Sequence, residues 1–366
     1  QGGLNLNADP FQLGRNQTQD CLNVDFDPLG GFGQRQGVTV ANTTALASTP
    51  QNLWTFLTPD GSTYRYVVAQ QGNTIAYSTG GNFTSWGTAA PFNVATTGPM
   101  RATTFQPLNS ATANNYIQRN AEQAAVRWTG AAATALTNPA VGAGTWNESY
   151  ASPAGGYMPK AKFIATHRNY VFVANTLEDK SASITNVAYT SRVRFSHPGQ
   201  PEDWRALDYI DFEPGSGDAI TGIASWNDRL LVFKNNAIFM LQGYDADTFD
   251  VVNVSHTLGA VSQDAIAVTE QGVFFFSWPE GLHFFDGSKI HNVFYPLRPM
   301  VFDGTVNRAA RAQIRVQWVK QRVWVSVPTG SSTVNSQTYV FDPLLQGGGG
   351  WTRYQLGGYG LGAGVE

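Results

Sequence analysis

Residues 230–241 read LLVFKNNAIFML, two apolar runs on either side of a short polar tip. Within each run, neighbouring side chains alternate between two faces, and here both faces are apolar. A strand buried on both faces belongs inside a stack of sheets rather than at a solvated edge. The same plan recurs along the chain. YRYVVAQ (64–70) and NTIAYST (73–79) are joined around Gln71-Gly72, GVFFFSW (272–278) turns through Pro279-Glu280-Gly281 into LHFFDG (282–287), and RVWVSVP (322–328) crosses a Ser/Thr-rich loop into TYVFDP (338–343). Each reads as a β-hairpin with turn residues at its tip.

Helical periodicity is nearly absent, so the expectation is an all-β chain. Segments 51–92, 99–137, 161–212, 220–256, 262–300 and 309–356 each hold about four short strands. That spacing is close to the roughly 40–50 residues of a propeller blade, and it predicts a β-propeller of about six blades with an extended N-terminal arm. Stacking the units in a circle buries the apolar face that each exposes alone and leaves only short edges. GQRQGVTVAN (33–42) is the segment expected to close the ring beside WTRYQL (351–356). Residues 109–157 are rich in Ala, Asn, Thr and Gly, and leave open either a regular blade or a long excursion. The organisation expected is an arm over 1–32, a propeller over 33–356 and a Gly-rich tail over 357–366.

Composition fits this plan. Hydrophobic residues make up 42% of the chain, enough to bury a large core, while charged residues are only 13%. The formal net charge of −3 argues against binding free DNA by bulk electrostatics. A single cysteine, Cys21, excludes an internal disulfide framework. No run approaches about 18 apolar residues, and QGGLNLNADPF lacks the basic-then-apolar order of a signal peptide. The expectation is a soluble chain without membrane insertion.

The arm places isolated apolar residues among turn formers. Leu4, Phe11, Leu13, Phe26 and Phe32 therefore read as candidates for docking on a subunit or partner. In RAQIRVQWVKQRVWV (311–325) strand alternation sets Arg311 and Arg315 on one face, a cationic ridge for weak contact with DNA or a subunit. Trp86, Trp128 and Trp146 are candidate sugar platforms in an alternative reading, a receptor- or glycan-binding or polysaccharide-degrading tail propeller.

The carboxylates of EDWRALDYIDFEPGSGD (202–218) are numerous enough for acid–base work or calcium. They lack the spacing of a calcium loop and read as a solvated acidic loop. Asp245, Asp247 and Asp250 read as turn residues. His283, Asp286 and His291 form the tightest histidine–carboxylate group, with the histidines facing each other across a hairpin, but they lack two further ligands. Nothing surrounds Cys21 to activate a thiolate. STGGNFTSW (78–86) departs from the Asp-box of sialidase-like propellers, with Gly80 in the place of the Asp. The expectation is no catalytic, cofactor or metal site, hence no enzyme and no cofactor.

A resemblance adds to this. GGLNLNADPFQLGRNQTQDCLNVDFDPLGGFGQRQGV (2–38) resembles the opening of tail-tube, nozzle and packaged-DNA-stabilisation proteins of tailed phages, with its GGLN start, PF-L pair and N-V-D/F element. SRVRFSHPGQPEDWRALDYIDFEPGSGDAITGIASWNDRLLVFKNNAIFML (191–241) is similar to their propeller core, through S-x-P-x-x-P-E-x-W, I-T-G-I-A and L-x-V-F-K. The likeness continues through 258–277 and 281–287 and covers less than half of the chain. It implies a structural virion protein of a phage tail, made in the host cytoplasm. Such a protein forms a ring, hexameric by likeness, around the DNA conduit. Its implied partners are copies of itself and other tail or head-to-tail connector proteins, with transient non-specific contact to genome DNA.

Overall fold

The apolar runs do form strands. The computed structural model describes residues 2–26, 31–35, 50–57, 65–72, 74–79, 87–89, 96–130, 133–136, 157–179, 184–345 and 348–355. The protein is mainly β, with five four-stranded propeller blades and an additional mixed sheet that joins N- and C-terminal strands. Among the described residues, helix is confined to the four-residue Pro299–Phe302 turn and short 3-10 segments, none able to cross a membrane.

Each blade is an antiparallel meander whose first strand is innermost. Those first strands are Asn52–Leu57, Arg101–Phe105, Lys160–His167, Ile220–Trp226 and Ile266–Val268 in blades 1 to 5, and Arg315–Val319 in the terminal sheet. All four hairpins read from the sequence are present, with strands Arg65–Gln71 and Thr74–Thr79, Arg229–Lys234 and Ile238–Gln242, Val273–Ser277 and Gly281–Phe285, and Arg322–Val327 and Gln337–Asp342. Gly72, at φ 57°, takes the left-handed turn that most side chains avoid.

Each of five apolar clusters fills one space between neighbouring sheets. Phe56, Ile117 and Trp128 join blades 1 and 2, and Tyr116, Val173 and Trp204 join blades 2 and 3. Phe172 and Val232 join blades 3 and 4, and Trp226, Phe233 and Phe275 join blades 4 and 5. Phe276, Val325 and Trp351 bind blade 5 to the terminal sheet. Each such fully buried side chain is worth about 1.5–3 kcal/mol, which makes these spaces the main source of stability.

Ring closure differs from the expectation. Gly2–Leu4 pairs in parallel with Gly350–Tyr354, and Gln17–Thr18 pairs in parallel with Gly2–Leu4, giving the terminal sheet six strands. Phe32–Gln34 pairs with Val24–Phe26 and not with the last strand, so the assignment of 33–42 as the closing strand is corrected as far as it is described. The arm is not extended over residues 2–26. Its backbone groups are met by Gly2 N to Gly349 O at 2.8 Å, Leu6 N to Pro296 O at 2.8 Å and Arg353 N to Cys21 O at 2.9 Å. Asp25 accepts from Arg322 at 2.8 Å and also bonds Tyr354, while Arg353 pairs with Asp20 at 3.0 Å.

Asn114–Arg119, Gln123–Trp128 and Ala133–Leu136 are regular strands of blade 2, which resolves that part of the 109–157 segment. Residues 137–156, 357–366, most of the Asp-box-like stretch, Trp86 and Trp146 lie outside the described residues.

Candidate functional site

The innermost strands surround an axial cavity of about 300 Å³, lined in part by Asn52, Trp54, Arg101, Asp264, Arg315 and Gln317. Arg101 starts the inner strand of blade 2, and Asp264 lies in the turn that leads into blade 5, on the opposite side of the ring. Their contact is bidentate, Nη1 to Oδ1 at 2.6 Å and Nη2 to Oδ2 at 2.9 Å, the geometry in which guanidinium and carboxylate pair best. Arg315 approaches the same carboxylate at 3.5 Å and donates to the Gln51 carbonyl at 3.0 Å. The two guanidiniums hold the Asp264 carboxyl below its ordinary range despite burial. Burial lowers Arg315, Asp264 raises it and Arg101 lowers it further. The cavity sits at the low end of the roughly 300–1,000 Å³ that hold small molecules, and the Arg101–Asp264 pair spans it, so it does not pass a nucleic-acid duplex.

This arrangement corrects the cationic ridge. The Arg308–Gln313 stretch is a 3-10 segment started by Asn307, whose side chain accepts from Ala309 N at 3.0 Å, and the strand begins only at Arg315. Arg311 is exposed, whereas Arg315 turns into the cavity, so the two share no face.

The acidic segment is a solvated loop only over 213–217, and its start is buried. Glu202 is buried and takes two hydrogen bonds from Arg127 Nη1, at 2.8 and 3.0 Å, and one from Tyr116 at 3.1 Å. Both donors stand on blade 2, while Glu202 belongs to the loop of blade 3. Trp204, two residues on, fills the space between the same blades. The S-x-P-x-x-P-E-x-W element is thus a clasp between blades. Asp203 is fully buried with no partner for either carboxylate oxygen, and burial, aided by the charge of Asp208, raises its pKa. Asp211 grips Arg192 with two bonds of 2.8 Å, Glu178 holds Arg194, and Asp218 accepts from the backbone of Asn235 and Asn236.

His283 and His291 do not face each other. His283 is opposite Asn292 and His291 opposite Phe284, so adjacent register places the two rings on opposite faces. His283 is buried against Phe275 and bonds the Gly281 carbonyl, and burial lowers its pKa. His291 bonds Asp286 at 2.9 Å, and backbone bonds from Lys289 and Ser288, together with His291, hold the Asp286 carboxyl at about 2. Among the described residues no group of three His, Cys, Asp or Glu side chains is placed to hold a metal ion. Cys21 is buried in the core, and desolvation raises its pKa, the opposite of activation. Asp245 accepts from Thr248 N and Oγ1, as a turn residue does. Trp128 is 1% exposed in the core between blades 1 and 2, which removes it as a sugar platform.

Of the arm residues, Leu4 is 3% exposed and belongs to the chain's own core, which corrects its reading as a docking residue. Phe26 is half-buried against that core, and Leu13 is half-buried. Phe11, 98% exposed, and Phe32, 79% exposed, remain open to a partner. Loops between first and second strands and between third and fourth strands open on one end of the module. Exposed apolar side chains of that end include Leu108, Leu207, Tyr244 and Leu344.

One set of residues escaped the sequence reading. Gln70, Gln118 and Asn175 lie on the second strands of blades 1, 2 and 3, and each reaches the backbone of the next blade. Gln70 accepts from Met100 N at 2.6 Å and donates to Gly98 O at 3.2 Å. Gln118 accepts from Ala161 N and donates to Pro159 O, both at 2.9 Å, and Asn175 donates to Ile220 O at 3.1 Å. The signal was an apolar run that ends in an amide, as in YVVAQ, NYIQ and VFVAN.

No protein-family model matches the chain, and no curated protein matches its sequence. Solved structures of related shape include BBS1N in complex with ARL6DN, 8% identical over 82% of this chain and 81% of that one, with a TM-score of 0.46. Apo AztD from Citrobacter koseri is 11% identical over 86% of this chain and 91% of that one, with a TM-score of 0.37. PorZ of Porphyromonas gingivalis, described as a surface component of a type-IX secretion system, is 9% identical over 86% of this chain and 39% of that one, with a TM-score of 0.36. At these levels the likeness bears on shape and carries no argument about what the chain does.

Proposed function

We propose that the chain is a structural component of a bacteriophage tail, of the nozzle, tube or hub type, with no reaction of its own. In this reading the mixed sheet is a sixth blade, and copies assemble head-to-tail in a closed ring, a hexamer by family likeness. The observation that carries the reading is the use made of the element most like phage tail proteins. Glu202 and Trp204 of SHPGQPEDW clamp blade 3 to blade 2, a use that suits a stiff spacer. Phe11, Phe32 and the apolar loop side chains of one end are the surfaces offered to neighbouring tail or connector proteins. Because the axial cavity is closed by Arg101 and Asp264, the DNA conduit is the hole of the ring of copies, and any contact with DNA is weak and made by the outer surface.

The test is particle imaging and light scattering of the purified chain at high concentration, alone and with its tail neighbours, run beside a glycan array. Rings without saturable glycan binding support the proposal. A chain that never forms rings, or one that binds or hydrolyses a glycan with a carboxylate dependence, overturns it.

A further inference from the structure

The axial cavity holds a charge imbalance that the described residues do not settle. Two guanidiniums, Arg101 and Arg315, share the single carboxylate of Asp264, and each side chain is only 12–17% exposed. Among the described residues Asp264 is the carboxylate that acts on Arg315. The Arg315–Asp264 approach of 3.5 Å is long for a hydrogen bond, and the shorter contact of Arg315 is to the neutral Gln51 carbonyl at 3.0 Å. Arg101 Nε is buried without a partner even though both its terminal nitrogens are engaged. A cation kept from water calls for a counter-charge. Planar guanidiniums match the oxygens of carboxylate and phosphate, and about 300 Å³ leaves room for a group of that size.

We propose that the axial cavity is a binding site for a small oxyanion, phosphate or a short carboxylate, taken between Arg101 and Arg315 in competition with Asp264. The site owes nothing to the tail reading and stands whether or not the chain forms rings. Occupation supplies the missing negative charge and ties blade 2 to the terminal sheet across the axis, so the bound anion stabilises the closed ring by mass action.

Inorganic phosphate is the probe, read by calorimetry and by the thermal midpoint of the full chain, with Arg311→Gln as a control at an exposed arginine outside the cavity. The native chain and Arg311→Gln should bind saturably and equally. Arg315→Gln should weaken binding about tenfold or more, the factor for losing a charge-assisted hydrogen bond. Asp264→Asn should bind more tightly than the native chain, because the competing carboxylate is gone. Should Arg315→Gln fail to fold, Arg315→Lys and Asp264→Asn still decide the matter. Phosphate acting as an excluded salt would raise the midpoint of every variant alike. That uniform rise, or the absence of saturable binding by the native chain, overturns the proposal.

Discussion

Truncating Leu4 to alanine should cost the isolated chain about 2–5 kcal/mol, the range for a buried leucine. Leu4 is 3% exposed, and it lies in the cluster of Val316, Val325, Tyr339 and Trp351 that holds the terminal sheet to blade 5. Lost transfer free energy supplies roughly 1.5–3 kcal/mol of the effect, and the cavity left behind supplies the rest. Against a total stability of about 5–15 kcal/mol, this is a large fraction. Phe11→Ala is the matched control. At 98% exposure it should change stability by no more than about 0.5 kcal/mol. Guanidinium unfolding gives the midpoints, and amide hydrogen exchange locates the damage. In Leu4→Ala, exchange should quicken over Gly350–Tyr354, the partner strand of Gly2–Leu4. Equal midpoints for the two variants, with unchanged exchange over Gly350–Tyr354, would remove Leu4 from the core and return the arm to the role of a segment awaiting a partner.

Three further outcomes follow from buried polar groups. His167 is held at about 4, mainly by burial and also by Arg168, so on acidification the unfolded chain takes up its proton first. Stability should therefore fall by up to about 3 kcal/mol between pH 6.5 and pH 4, and His167→Gln should flatten that fall in pH-dependent unfolding curves. Gln118→Leu strands Ala161 N–H and the Pro159 carbonyl and should cost about 1–3 kcal/mol by chemical denaturation, with faster exchange at Ala161. Glu178→Gln removes the carboxylate that takes two hydrogen bonds of 2.8 Å from the buried Arg194, a loss of about 3–5 kcal/mol that a calorimetric scan reads directly.

Much of the fold was legible because apolar runs between turn residues carry their own signature. LLVFK and AIFML announce a hairpin without reference to anything distant. What failed was information that lies far along the chain or in very short elements. Glu202 looked solvated because its partner Arg127 stands 75 residues away on another blade. Leu4 looked free because a three-residue strand is too short to show alternation, and its pairing partner lies at the other end of the sequence. Arg311 and Arg315 were set on one strand because RAQIRVQW alternates well. Asn307 instead starts a 3-10 turn, and that turn changes which side chains share a face. The two histidines of blade 5 were misjudged by a single step of register, which in a strand reverses the face. The axial ion network joins blade 2, the turn before blade 5 and the terminal sheet, and only closure of the ring brings Arg101, Asp264 and Arg315 together.

The proposed role as a stiff, unreactive spacer in a tail is tested most directly by a density map of the intact phage particle at a resolution that separates blades. The expected density shows this propeller in a closed ring within the tail, its own axis blocked and the genome channel running through the hole between copies. Density that places DNA through the axis of a single propeller, or that finds no copy of the chain in the tail, would contradict it.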